Sequence, residues 1–185
     1  YGAVIRVIDI MQAFTWGISR ATSIMVGQNI GAENYDRAKK VAYISSAITA
    51  TILSIGALGI WLARGWVISV FISDVAVVAE GAKLISAITP SLPFFALFFV
   101  TGAVAGGSGH TSFFAFLSIL RLWVLRIGLS YVLALNLGLG VWGIWLAMSI
   151  SNVASGSLSL AWLAKGSWLR RVIEIPKPKI GDLKS

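Results

Sequence analysis

The sequence predicts an all-α protein that spans a membrane, and three observations carry that prediction. Hydrophobic residues make up 57% of the 185-residue chain and charged residues 12%, about half the charge that a soluble domain carries. Apolar runs near the roughly 20 residues needed to cross a bilayer recur along the chain. Those runs lack the strict alternation of a membrane β-barrel strand, so each must satisfy its backbone groups within its own helix. The formal charge of +8 sits mostly at span ends and in the C-terminal tail. Membrane topology accounts for that distribution, and no nucleic-acid partner is expected. With no cysteine, the chain has no disulfide, no thiolate metal ligand and no thiol nucleophile.

Five spans follow in order, at 3–31, 41–62, 84–104, 122–137 and 141–163, together forming one bundle over 1–165. The fifth carries its own ruler. Trp142 and Trp162 stand twenty residues apart, about 30 Å along a helix and so the thickness of the hydrocarbon core. Trp145 and Trp168 read as further members of the two interfacial belts. Pro90 and Pro93 break the backbone ladder of the third span, as transporters do where a helix lines a cavity or bends. Residues 166–185, with Pro176 and Pro178, read as a basic tail beside anionic headgroups.

Lysines and arginines set the orientation. Arg37, Lys39 and Lys40 lie between the first two spans, Arg121 and Arg126 between the third and fourth, and Lys165, Arg170 and Arg171 after the fifth. With Lys177, Lys179 and Lys184 of the tail, eleven cations share one side against Arg6, Arg64 and Lys83 on the other, leaving Arg20 unassigned. The positive-inside rule makes the larger set cytoplasmic, with the C-terminus inside. The chain opens in an apolar run without Met, so further spans are expected upstream.

The most informative stretch is Val26-Gly-Gln-Asn-Ile-Gly-Ala-Glu-Asn-Tyr-Asp-Arg-Ala-Lys-Lys40. Gly27 and Gly31 form a Gly-x-x-x-Gly pair that allows close helix approach. Gln28 and Asn29 place amides where the helix leaves lipid, Gly31 suits a helix C-terminus, and Asn34 suits the next N-cap with Asp36 in its first turn. Arg37 anchors the second helix at the cytoplasmic face. This is a packed corner, not a phosphate cradle: it has neither a Gly-Lys-Ser/Thr ending nor a preceding strand. The glycine-rich run at 102–109 fails the same test.

The corner, from Ala21 to Ala38, resembles the signature of the multidrug and toxic compound extrusion (MATE) family. Arg121-Leu-Trp-Val-Leu-Arg126 and Gly140-Val-Trp-Gly-Ile-Trp-Leu-Ala-Met148 are similar to the family's last two helices. The resemblance implies helices eight to twelve of a twelve-helix, two-bundle transporter, with the N-terminal half of the polypeptide as partner. It implies a secondary active antiporter in the plasma membrane that exports organic cations or drugs in exchange for H⁺ or Na⁺. Neither a cofactor nor enzymatic activity is expected. The alternative within the wider superfamily is a lipid-linked saccharide flippase. That would call for clustered cations in the cavity, where spans two to five offer few beyond Arg126.

Candidate substrate or coupling residues are Arg6, Asp9, Gln12, Pro90, Phe94 and Asn152. Arg6 and Asp9 are spaced i, i+3 on one helix face, either as an interfacial salt bridge or as a cavity-lining pair that Gln12 extends. Phe94, Phe95, Phe98 and Phe99 follow the kink as packing or drug-contacting rings. Ser149, Ser151, Asn152 and Ser155 give the fifth span a polar stripe suited to helix–helix contact. Arg20 snorkels to headgroups if the first span starts at Ala3, and is buried if it starts at Met11. Spans two to five hold no Asp or Glu in their cores, which leaves Asp9 as the local coupling carboxylate. His110, the only histidine, reads as a turn residue, and no metal site is expected.

Overall fold

The computed structural model describes the backbone of residues 2–70 and 73–170, and the side chains of these except residues 2–12 and 14. Six helices organise them: α1 (Gly2–Gly31), α2 (Tyr35–Leu62), α3 (Arg64–Ser69), α4 (Val75–Ser108), α5 (Thr111–Asn136) and α6 (Val141–Lys165). Among the described residues α2, α4, α5 and α6 are long and apolar enough to cross a membrane. The 30-residue α1 is the fifth long helix. No strand occurs among the described residues.

Helix α4 is the hub, packing against α1, α2, α5 and α6. It is not continuous: residues Thr89–Ser91 form a single 3₁₀ turn where Pro90 and Pro93 remove backbone donors. The carbonyls around the break find hydroxyl partners. Thr89 Oγ1 donates to the Ile85 carbonyl, Ser91 Oγ to Ile88 at 2.7 Å, and Ser149 Oγ of α6 to Ala87 at 2.5 Å. A break in hydrocarbon is tolerated only when its freed groups are answered within the protein.

The turns behave largely as their residues dictate. Asn34 caps α2 by accepting from the Arg37 amide at 3.4 Å, and Asp74 caps α4 by accepting from the amides of Ala76 and Val77. The end of α1 differs in one respect. The left-handed residue is Glu33 (φ 59°), not Gly31; Asn34 N–H bonds the Asn29 carbonyl at 2.8 Å and Glu33 N–H the Ile30 carbonyl at 3.1 Å. This is a Schellman ending with a glutamate where glycine is the usual residue.

Helix α5 is longer than the fourth span read from the sequence, beginning at Thr111 instead of 122. Arg121 looked like a boundary because a charge in hydrocarbon is costly. Instead, Gly109 (φ 82°) and His110 make the turn, and the apolar run that follows continues through the arginine. Residues Leu120–Gly128 and Val132–Asn136 adopt π-type i→i+5 bonding, a widening often found at functional sites. Helix α4 likewise starts at Val75, ahead of the 84 read from the sequence, because Asp74 supplies its cap.

Two apolar clusters divide the interior by depth. Ala57, Ile68, Leu84, Ile85, Ile88, Leu92, Trp145 and Met148 form one. Val26, Ile30, Ala38, Val41, Ala42, Val100, Val104, Leu163 and Trp168 form the other, at the corner end. Trp145 (7% exposed) and Trp168 (fully buried) thus belong to the core and not to interfacial belts. Trp168 Nε1–H donates to the Leu163 carbonyl at 3.2 Å, which settles the indole's polar group inside the bundle.

Candidate functional site

Between the two apolar clusters lies a polar layer assembled from three helices. α4 and α6 run parallel, in register at Ala87 with Ser149, Ser91 with Asn152, and Phe94 with Gly156. α5 runs antiparallel to α6, so that Arg121 meets Asn152 while Ala134 meets Gly143. Arg121, Ser91 and Asn152 each fall near the middle of their own helices. At 1.5 Å per residue this places them at the centre of the bundle's depth.

The donors form a one-way chain. Arg121 Nη2 donates to Asn152 Oδ1 at 2.9 Å, Asn152 Nδ2 to Ser91 Oγ at 3.0 Å, and Ser91 Oγ to the Ile88 carbonyl at 2.7 Å. The chain therefore joins a fixed cation to the backbone exactly where α4 breaks, linking α5, α6 and the break into one unit. Arg121 is 6% exposed, Asn152 4% and Ser91 1%. The guanidinium carbon also lies 4.8 Å from the Phe95 ring centre and 4.5 Å from that of Phe98. In a desolvated site each such contact contributes up to about 2 kcal/mol. Arg121 Nε is buried without a hydrogen-bond partner. Among the described residues the one ion pair is Lys83–Glu80, exposed and distant from this layer.

The rings continue the site outward. Phe98 lies 4.9 Å from Phe114, and Phe99 lies 4.7 Å from Phe95 and 6.1 Å from Trp16. Beyond them an open crevice of about 550 Å³ runs between α1, α4 and α5, lined by Trp16, Ser19, Arg20, Phe99, Gly102 and Phe114. A Cβ on Gly102 would stand 2.5 Å from the Phe114 ring, so glycine there lets the ring lie flat on α4. A second crevice of about 230 Å³, almost wholly apolar, opens at the break beside Pro90, Pro93 and Trp61.

The sequence-read candidates divide accordingly. Asn152 is at the centre of the layer, Pro90 is exposed at the break, and Phe94 packs its backbone and Cβ against Gly156. The side chains of Arg6, Asp9 and Gln12 lie outside the described residues, as do Arg171 and the tail beyond it. Arg121 and Ser91 were missed. The signal for Arg121 was the uninterrupted apolar run from Phe113 onward, which contains no second turn.

The corner residues sit apart from this layer. Gly27 makes the close approach expected of it, since a Cβ there would stand 3.1 Å from the Gly107 carbonyl oxygen. Gly31 does not share it: a Cβ there would meet nothing within 4 Å. Ser23 is the real companion of Gly27, because a Cβ on Gly107 would collide with the Ser23 carbonyl. Asn29 Nδ2 turns back to the Met25 carbonyl at 2.7 Å, while Gln28 and Arg37 are exposed. No group of three or more His, Asp or Glu that could hold a metal occurs among the described residues.

Comparison with known proteins adds four findings. A family model described as MatE matches residues 1–132. The chain is 26% identical over 154 residues to the Multidrug and toxin extrusion protein 1 of Oryctolagus cuniculus, covering 83% of this chain and 27% of that protein. It is 27% identical over 168 residues to the probable multidrug resistance protein YpnP of Bacillus subtilis, covering 91% and 37%. Among solved structures, an inward-facing multidrug resistance transporter of the MATE family matches with a TM-score of 0.81 at 20% identity, over 90% of this chain and 39% of that one. The chain thus spans 27% to 37% of the length of these curated relatives.

Proposed function

Because the chain belongs to the MatE family, we propose that it is the C-terminal helical bundle of a secondary active multidrug efflux antiporter. Its five long helices correspond to helices eight to twelve, and an N-terminal half of the same polypeptide completes the cavity. In this reading the protein is multi-pass in the plasma membrane with a cytoplasmic C-terminus, and exports organic cations or drugs in exchange for H⁺ or Na⁺. Arg121 and Arg126 lie within α5; without them, nine cations remain on the cytoplasmic side against three, and the orientation keeps its bias.

The observation that carries the proposal is the break in α4, bonded through Asn152 to Arg121 at the bundle's midplane. Discontinuous helices with polar partners at mid-depth are how transporters build sites that change access. Bending α4 at Thr89–Ser91 draws directly on Ser91 and Asn152, so substrate or ion binding near the break is coupled to helix movement. Pro90, Phe94 and Asn152 are the substrate candidates on this side, and Arg6, Asp9 and Gln12 the coupling candidates on α1.

The test is gradient-driven efflux from vesicles containing the full-length polypeptide. Export of a cationic dye should follow an imposed H⁺ or Na⁺ gradient, and Asp9→Asn should reduce it at least tenfold. Export indifferent to both gradients would end the antiport reading. One observation favours the flippase alternative, namely that Arg121 does occupy a span core. A single sealed guanidinium already bonded to Asn152 is not a pyrophosphate-binding cluster, so the drug antiporter remains the better reading.

A further inference from the structure

Arg121 is attached both to the break in α4 and to the segment that follows it. Toward the break, Nη2 donates to Asn152 Oδ1 at 2.9 Å, and Asn152 Nδ2 continues to Ser91 Oγ at 3.0 Å. Beyond the break, the guanidinium carbon stands 4.8 Å from the Phe95 ring centre and 4.5 Å from that of Phe98. Phe95 and Phe98 are spaced i, i+3 on one face of the segment Leu92–Ser108. One planar group therefore touches α4 past the break and reaches, through one amide, the turn where α4 bends. Phe98 is also seated from its other side. Its ring lies 4.9 Å from that of Phe114, which stands about two turns before Arg121 on α5.

The two kinds of attachment differ in how much movement they tolerate. A hydrogen bond weakens steeply once its angle falls below about 120°. A cation over a ring keeps its attraction anywhere within about 6 Å of the ring centre. Among the described residues the guanidinium has a single hydrogen bond, from Nη2, and Nε has none. A fork bonded at both prongs fixes the orientation of the group; bonded at one prong, it can turn about that bond. The backbone at this point is also unusual. Arg121 lies at the start of the π-type stretch Leu120–Gly128, a winding frequent at functional sites.

We infer that Arg121 is the pivot on which α4 bends: the Asn152 bond is the fixed point, and the Phe95 and Phe98 rings slide across the guanidinium as the segment after the break swings. This role rests on the transport reading and makes Arg121 a positioning residue. At 6% exposed it acts through the helix and not on the substrate. A pivot and a latch predict opposite signs. A pivot keeps its partners through the swing, so removing it leaves Asn152 unanswered during the movement and slows turnover. A latch holds one conformation only, so removing it frees the helix and speeds turnover.

The test uses the full-length polypeptide in vesicles, with the cationic dye ethidium as the exported probe. Arg121→Lys keeps the charge but loses the planar fork. It should slow maximal export about fivefold and leave half-saturating ethidium within about twofold, the split expected when a conformational step is impaired. Arg121→Met should slow export about tenfold, and if it does not fold, Arg121→Lys carries the kinetic test alone. Phe98→Leu should slow export about threefold; added to Arg121→Met it should cost nothing more, because both remove one contact. Spin labels at Val77 and Thr111, exposed beside the two ends of α4, report the bend itself. Ethidium should shift their separation in the native protein and not in Arg121→Met. Faster export in either Arg121 variant would overturn the pivot in favour of a latch, and multiplied losses in the double variant would overturn it as well. Native-like export by Arg121→Lys would overturn the pivot and leave the antiporter standing. An ethidium-induced shift that Arg121→Met abolishes, in a protein whose export ignores H⁺ and Na⁺ gradients, would support the pivot and refute the antiporter.

Discussion

At the corner between α1 and α2, amide side chains answer backbone groups that are close in the chain. Asn29 bonds Met25 and Asn34 receives the Arg37 amide, across four and three residues. Around Arg121 the same kinds of group answer partners 31 and 61 residues away. The corner is exposed and screened, so each of its bonds is worth little and can be replaced by water. The Arg121 layer is sealed, so every missing partner leaves a polar group stranded in a low-dielectric interior. Local polarity shapes the chain, whereas remote polarity locks helices together.

If that contrast holds, the layer should be where substitution costs most. Asn152→Ala removes the acceptor of the Arg121 guanidinium and the donor to Ser91. It should destabilise the full-length protein by about 3–5 kcal/mol, read as the largest fall in melting temperature in detergent. The double variant Arg121→Met/Asn152→Leu should recover most of that loss, because an apolar replacement strands no charge. A double variant no more stable than Asn152→Ala would show that the layer contributes more than mutual satisfaction.

Gly107→Ala comes next, at about 1–3 kcal/mol, since its Cβ runs into the Ser23 carbonyl. Gly31→Ala at the same corner should be neutral or stabilising by up to about 1 kcal/mol, because its Cβ meets nothing within 4 Å. Equal effects at the two glycines would break the distinction between contact and signature. Smaller again, Asn34→Ala should cost about 1 kcal/mol by removing the α2 cap. Glu33→Gly should stabilise by about 0.5–1 kcal/mol by relieving its positive φ. The smallest effect belongs to the exposed Lys83–Glu80 pair: Lys83→Ala should change the melting temperature by the equivalent of about 0.5 kcal/mol or less.

The same contrast explains what could be read from the residues alone. The corner's cap at Asn34 and the proline break in α4 are local signals, and both appear where the residue types put them. The all-α membrane fold follows from composition and the length of the apolar runs. Arg121 was misread because a charge in an apolar run has two opposite meanings, span boundary or buried anchor. Only its partner decides between them, and Asn152 lies 31 residues further on. Trp145 and Trp168 were misplaced for a related reason: an indole at a span end suits either headgroups or a core with a free carbonyl. Leu163 supplies that carbonyl to Trp168. In the crevice, Arg20 is legible from the sequence but its surroundings are not, because Phe99 and Phe114 line it from two other helices.

The break in α4 has one more consequence. The carbonyls of Ile85, Ala87 and Ile88 are each answered by a hydroxyl from Thr89, Ser149 or Ser91. All three donors are hydroxyls of the chain itself, so the bend is held from within the protein. The bend can keep its shape when the bilayer thins, thickens or is exchanged for detergent. This makes it a portable joint, one that travels with the chain from one membrane to another.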